Sequence, residues 1–171
     1  MSLTLNGFDL LRLTRGHGIY DTSSVPQVLV AGVPARVVAD KLGGDTVENL
    51  PIGCSTLWGD SDSAIKIGSL SVGDVFIVTL NASATSVTAN TDIEIQFEWQ
   101  EKDSSGTNTT LRSIKKTIAS MPVAMRDYEL YSSQVFVIGS ENQRNGTLTM
   151  NIQSVGGAAT FTLENVQVAK I

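Results

Sequence analysis

An all-β, antiparallel sandwich or jelly roll with an extended N-terminal arm is the architecture this sequence encodes, and three observations carry that reading. Ile93, Glu94, Ile95, Gln96, Phe97, Glu98 and Trp99 alternate apolar and polar without error, the period-two pattern of a half-buried strand. From Gly53 onward, short β-like runs are separated by turn residues. Charged residues make up 17% of the chain, against a usual share of about 25%. Ser and Thr fill the difference at roughly one residue in five, and both suit pleated surfaces, where hydroxyls pair across strands.

Taken in order, Val75–Leu80 is a β-branched run introduced by Gly73-Asp74. Asp92–Gln100 holds the clean alternation. Thr109–Ile118 places Leu111, Ile114 and Ile118 at a spacing that fits either a bulged strand or a helical turn. Tyr128–Ile138 is long enough for one bent strand or two short ones. Leu148, Met150 and Ile152 alternate with Thr and Asn, and Phe161 and Leu163 alternate in one phase while Val166 and Val168 follow in the other. That phase change at Glu164-Asn165 predicts a β-bulge. Asn145-Gly146 and Gly156-Gly157 read as hairpin turns, the second joining the last two runs into a terminal hairpin. Seven or eight strands at this spacing fit a sandwich or jelly roll better than a parallel sheet.

Residues 1–52 read as a separate N-terminal arm, and 53–171 as the sandwich domain. Leu3, Leu5, Phe8, Leu10, Leu11 and Leu13 crowd the first turns of the chain, followed by Gly16-His17-Gly18, Val25-Pro26 and a stretch broken by Gly32 and Pro34. The prolines and glycines disfavour a long helix. Short strands are expected at Leu3–Leu5 and around Val28–Val30 or Arg36–Val38. Such an arm carries more apolar surface than it can bury alone, so Leu3, Leu5, Phe8, Leu10 and Leu13, with Arg12 and Arg15, are the candidate partner-binding residues.

The formal charge is −5 and the pI about 4.7. Basic residues are scattered, which argues against a grip on nucleic acid. No stretch approaches the ~18 uninterrupted apolar residues of a membrane span, and no basic n-region precedes the first apolar residues. Cys54 is the single cysteine, so the fold rests on packing and hydrogen bonds, as in proteins that mature in a reducing cytosol. Asn-x-Ser/Thr triplets at Asn81, Asn108 and Asn145 are each expected near a turn.

No catalytic constellation emerges. His17 is the single histidine and lacks a nucleophile signature around it, so it reads as a polar turn residue. Asp60-Ser61-Asp62 lacks the rest of a calcium loop. Glu94 and Glu98 share a strand face, but it is the polar, solvated one. Neither a phosphate-cradling loop nor a zinc spacing is present; no metal and no cofactor are expected. Trp58, Trp99, Tyr128 and Tyr131 offer a sugar-stacking platform; Trp99 is in phase with the core, while Trp58, between Leu57 and Gly59, is freer to be exposed and is the candidate carbohydrate contact.

The stretches Tyr128-Glu-Leu-Tyr-Ser-Ser-Gln-Val-Phe-Val-Ile-Gly139, Asn145-Gly-Thr-Leu-Thr-Met-Asn-Ile-Gln153 and Phe161-Thr-Leu-Glu-Asn-Val-Gln-Val-Ala-Lys-Ile171 resemble the closing strands of small jelly-roll proteins on bacteriophage particles. These are trimeric capsid decoration, or cement, proteins and some fibre domains. The likeness covers residues 54–171 and lies in strand rhythm and polar turns. It implies a non-enzymatic virion protein, made in the host bacterial cytoplasm. Its implied partners are copies of itself in a homotrimer and the major capsid protein or another virion protein, with neither nucleic acid nor membrane. A fibre domain that recognises host-surface carbohydrate is the alternative.

Overall fold

The computed structural model describes residues 15–21, 26–38, 45–59, 64–102, 105 and 107–171. Its elements are β1 (Gly16–Asp21), β2 (Gln27–Leu29), β3 (Ala35–Arg36), β4 (Asp45–Thr46), β5 (Trp58–Gly59), β6 (Ala64–Ile65), β7 (Val75–Ser86), β8 (Thr91–Lys102), β9 (Asn108–Met121), β10 (Asp127–Val137), α1 (Glu141–Asn145), β11 (Thr147–Val155) and β12 (Ala159–Lys170). They form two six-stranded sheets. The first runs β10-β7-β12-β1-β4, with β2 also on β12; the second runs β5-β6-β11-β8-β9, with β3 also on β11. The named strands pair antiparallel throughout. The chain is thus an all-β, antiparallel jelly-roll sandwich, as its alternation predicts.

The core lies between the sheets because each long strand turns its apolar phase inward. Ile93, Ile95, Phe97 and Trp99 of β8 are all buried, facing Phe76, Val78 and Leu80 of β7 and Val166 and Val168 of β12. An aromatic cluster bridges the layers. Phe136 stacks on Phe76 at 5.3 Å within the first sheet and meets Phe97 and Trp99 of the second edge-on at 5.3 and 5.9 Å. These are the offset and T-shaped geometries that the ring quadrupole favours. The early strands join the same core, for Tyr20, Leu29 and Val37 are each fully buried.

Gly16-His17-Gly18 is strand rather than turn. A Cβ on Gly16 would lie 2.4 Å from the Asn49 carbonyl, and one on Gly18 would lie 2.4 Å from the Tyr20 hydroxyl. The glycines make room for a crossing backbone and a buried ring. The Tyr20 hydroxyl accepts the Leu57 N–H, tying β1 to the segment before β5.

Two turns differ from their hairpin reading. Gly156-Gly157 joins β11 to β12, but those strands lie in different sheets and pair with β8 and β7. Asn145 ends α1, and Gly146 is glycine because a Cβ there would sit 2.1 Å from the Gln100 carbonyl. Local turn chemistry is the same whether a chain doubles back or changes layer; the sheet it enters is set by distant partners. The open choice at Thr109–Ile118 resolves as a strand. Register shifts fall opposite Ile93/Glu94 and Trp99/Gln100, leaving Leu111 and Ile118 unpaired within β9. Two bulges thus produce apolar positions at helix-like spacing. Tyr128–Ile138 is one strand, paired without a break from Asp127 to Val137. β7 runs on to Ser86, which puts Asn81 in mid-strand, with Ala82 and Ala84 as its small inward residues.

One side of the sandwich closes where β9 approaches β10. The Lys116 ammonium donates to the Ser133 carbonyl at 2.7 Å, and burial pushes its pKa down. An inward-pointing lysine on an edge strand discourages pairing with a foreign strand.

Candidate functional site

The outer face of the first sheet is the most distinctive surface of the described residues. Register fixes its composition. Val135, Ile77, Ala169 and His17 lie in one row across β10, β7, β12 and β1. Val137 and Val75 form the row beside it. The Ile171 N–H donates to the Val75 carbonyl at 3.0 Å, which brings Ile171 next to them. Val135, Val137 and Ile171 are 49%, 55% and 59% exposed, and Val75, Ile77 and Ala169 are half-buried. This end of the face is aliphatic, without an intervening charge from those strands.

Toward the other end the face turns polar. Tyr131, Asn81 and Asn165 make one row, with Ser133, Thr79 and Gln167 between them and the aliphatic end. Tyr131 is 65% exposed. The Asn81 and Asn165 side chains hydrogen-bond to each other at 2.8 Å. The predicted bulge is present: register shifts between Leu163 and Asn165, so Glu164 is the extra residue. Two adjacent residues therefore reach the rim of a shallow groove of about 440 Å³ lined by Asn81, Ala82, Glu129, Leu130, Tyr131, Glu164 and Asn165.

The sequence-derived candidates fall elsewhere. Leu3, Leu5, Phe8, Leu10, Arg12 and Leu13 lie outside the described residues, as does Asp60-Ser61-Asp62. Arg15 is exposed immediately before β1. Trp58 is not available to a sugar: it is fully buried between buried Leu57 and Gly59. Trp99 is buried as its phase predicts, and its indole N–H donates to the Gln143 carbonyl at 2.9 Å. Tyr128 is half-buried with its hydroxyl on the Val123 backbone. Tyr131 alone of the four is largely open.

The shifted titratable groups each answer to their immediate surroundings. The Lys115 ammonium, 2.6 Å from Glu94, is the main cause that holds the Glu94 carboxyl below its ordinary 4.5, with a hydrogen bond from Gln153 adding to it. A general acid needs the opposite shift. Burial pushes the Cys54 thiol up, away from the thiolate. Among the described residues no three His, Cys, Asp or Glu side chains converge as a metal site would require. No helix among them is long and apolar enough to cross a membrane.

Neither a protein-family model nor a curated protein matches the chain. Solved structures do. The structure of infectious bursal disease virus, Gx strain, matches with TM-score 0.50 and 8% identity, covering 92% of this chain and 32% of that one. Eiger TNF from S. frugiperda matches at TM-score 0.48 and 10% identity, covering 92% of both chains. PRD1 vertex protein P5 matches at TM-score 0.48 and 14% identity, covering 92% of this chain and 96% of that one. At these identities the likeness concerns the fold, an antiparallel jelly roll, and nothing finer.

Proposed function

We propose that this chain is a non-enzymatic structural protein of a bacteriophage particle, a decoration or cement protein that seats on a preassembled capsid as a homotrimer. The observation that supports this most is the aliphatic end of the first sheet's outer face. Val135, Val137 and Ile171 project from a rigid sheet, and Val75, Ile77 and Ala169 fill the spaces between them. Apolar surface gathered in one place marks an interaction surface more reliably than scattered apolar residues do. Its burial is worth roughly 25 cal/mol per Å². The second support is residues 1–14, with Leu3, Leu5, Phe8, Leu10, Leu11 and Leu13, which lead into β1 of that same sheet. The partners of this reading are further copies of the chain and the major capsid protein or another virion protein. Its place is the virion, after synthesis in the host bacterial cytoplasm.

The test is co-sedimentation of purified protein with its cognate empty shells, followed by heating the shells with and without it. Pelleting with the shells and a raised shell melting temperature are expected. A protein that stays in the supernatant, or shells that melt at one temperature either way, would overturn the capsid reading. A second reading, a fibre domain that binds host-surface carbohydrate, is favoured by the exposed Tyr131 beside two amides.

A further inference from the structure

The geometry points to the Tyr131 groove as a binding site for an uncharged saccharide, an inference that rests on the carbohydrate-binding reading above. A sugar ring presents one face of C–H bonds and a rim of hydroxyls. It is held in water by an aromatic platform for the first and fixed donors and acceptors for the second. The groove supplies both from strands rather than loops. Tyr131 is 65% exposed on β10, in register with Asn81 of β7, which is in register with Asn165 of β12.

The Asn81–Asn165 pair makes the site more than a lone aromatic. One amide hydrogen of Asn81 and the carbonyl of Asn165 are used in their mutual bond at 2.8 Å. An amide has two donors and a carbonyl acceptor. The pair therefore retains one carbonyl oxygen and spare amide hydrogens, whichever way the two side chains are turned. That bond also fixes both amides before any ligand arrives, which lowers the ordering cost of binding. The bulge is the second device. By inserting Glu164 ahead of Asn165, it brings both residues to the groove that Glu129 lines from β10. Bulges re-aim side chains in this way beside functional sites.

Glu129 also bears on the ligand's charge. It lines the groove from β10, in a chain of net charge −5. A sialic acid, uronate or sulfated sugar would bring its own anion against it. Hydroxyls of a neutral sugar, by contrast, donate well to ionised carboxylates. The site thus selects neutral hexose, pentose or N-acetylhexosamine units over acidic ones.

The experiment is NMR titration of the ¹⁵N-labelled full chain with neutral oligosaccharides (gluco-, xylo- and N-acetylglucosamine oligomers), with sialyllactose and oligogalacturonate as acidic probes. One platform and a few polar contacts should give a Kd of ~1 mM for the best neutral probe. Shifts should centre on Tyr131, Asn81 and Asn165. Tyr131→Ala should weaken binding at least about tenfold, and Asn165→Ala should do likewise, while the amide spectrum away from the groove stays unchanged. Tyr131→Phe, which keeps the ring, should retain most of the affinity. If a neutral sugar binds equally well to Tyr131→Ala, carbohydrate binding stands and this groove is the wrong place. If an acidic probe binds better, the charge argument is wrong. If no probe shifts any resonance at tens of millimolar, the groove and the carbohydrate reading fall together.

Discussion

Glu94 shows how a single side chain reports its environment. It stands on the outer face of β8, with the Lys115 ammonium at 2.6 Å and Gln153 donating from β11 on the other side. The ion pair chiefly holds its carboxyl below the ordinary 4.5. A depressed folded-state pKa means that the unfolded chain binds the proton more readily. The stabilisation is therefore fully present above about pH 4.5 and is lost as pH falls through the folded-state value. The site is partly exposed, so the effect is small, and salt weakens it. Glu94→Gln should leave a stability deficit at pH 7 that shrinks as pH falls below about 4.5, read by urea unfolding of both proteins across that range. A deficit constant with pH would show that packing, not charge, is what the substitution removes.

At the same scale, Trp58 and Tyr131 mark where sequence reading stops. Both are aromatics among small and apolar neighbours. Trp58 is buried because Leu57, Trp58 and Gly59 are all enclosed, a run that no alternation announces. Tyr131 is open because β10 turns Leu130, Ser132 and Phe136 inward and Tyr131, Val135 and Val137 outward. Its two phases both carry apolar residues. Such a strand reads the same whether one face or both are covered, so the sequence shows two apolar faces without saying which is the core.

Elements divide along a similar line. β8 is legible because its alternation is perfect, and the Glu164 bulge because phase reversal has few other causes. The layer each strand enters is not legible, since β11 and β12 flank two glycines yet go to different sheets. That corner is tightly built. Gly156 has φ +94°, and a Cβ on Gly157 would lie 1.7 Å from the Thr88 hydroxyl and 2.8 Å from that of Thr91. Those hydroxyls belong to a cluster at the β7–β8 turn: the Ser86 hydroxyl lies 2.8 Å from that of Thr91 and 3.1 Å from the Ala158 carbonyl, its one hydrogen shared between them. Two inter-sheet turns thus grip each other at one end of the sandwich. Gly157→Ala must push the turns apart or rotate Thr88 out of the cluster. It should cost ~1–3 kcal/mol, seen as a lower urea midpoint at unchanged slope. Thr88→Ala in the same chain should recover part of that loss by vacating the space. A Gly157→Ala protein as stable as the parent would mean that the turns are not in contact in solution.

For the whole molecule, the question is what covers the aliphatic end of the first sheet. An aliphatic patch of exposed Val135, Val137 and Ile171 with half-buried Val75, Ile77 and Ala169 suits a second copy of the same sandwich or a capsid surface better than a small ligand. Residues 1–14 precede β1, a strand of this same sheet, in the sequence. In the proposed trimer, three arms would raise the effective concentration for the second and third contacts, with avidity of ~10²–10⁴ over one arm. Self-association and particle binding are then coupled but separable by mutation. Val135→Asp with Val137→Asp should dissociate the trimer in sedimentation equilibrium and abolish the dependence of the melting temperature on protein concentration that linkage requires of an oligomer. Both side chains already face solvent, so the isolated fold should keep its β-type circular dichroism. Truncation of residues 1–14 stops short of β1 and its buried Tyr20, and should spare the fold while weakening shell binding. If the parent protein sediments as an 18.2 kDa monomer at micromolar concentration, the aliphatic face is not a self-association surface. If the double aspartate variant remains trimeric, the trimer is built elsewhere. Shell binding by that variant would then decide whether the face meets the capsid directly.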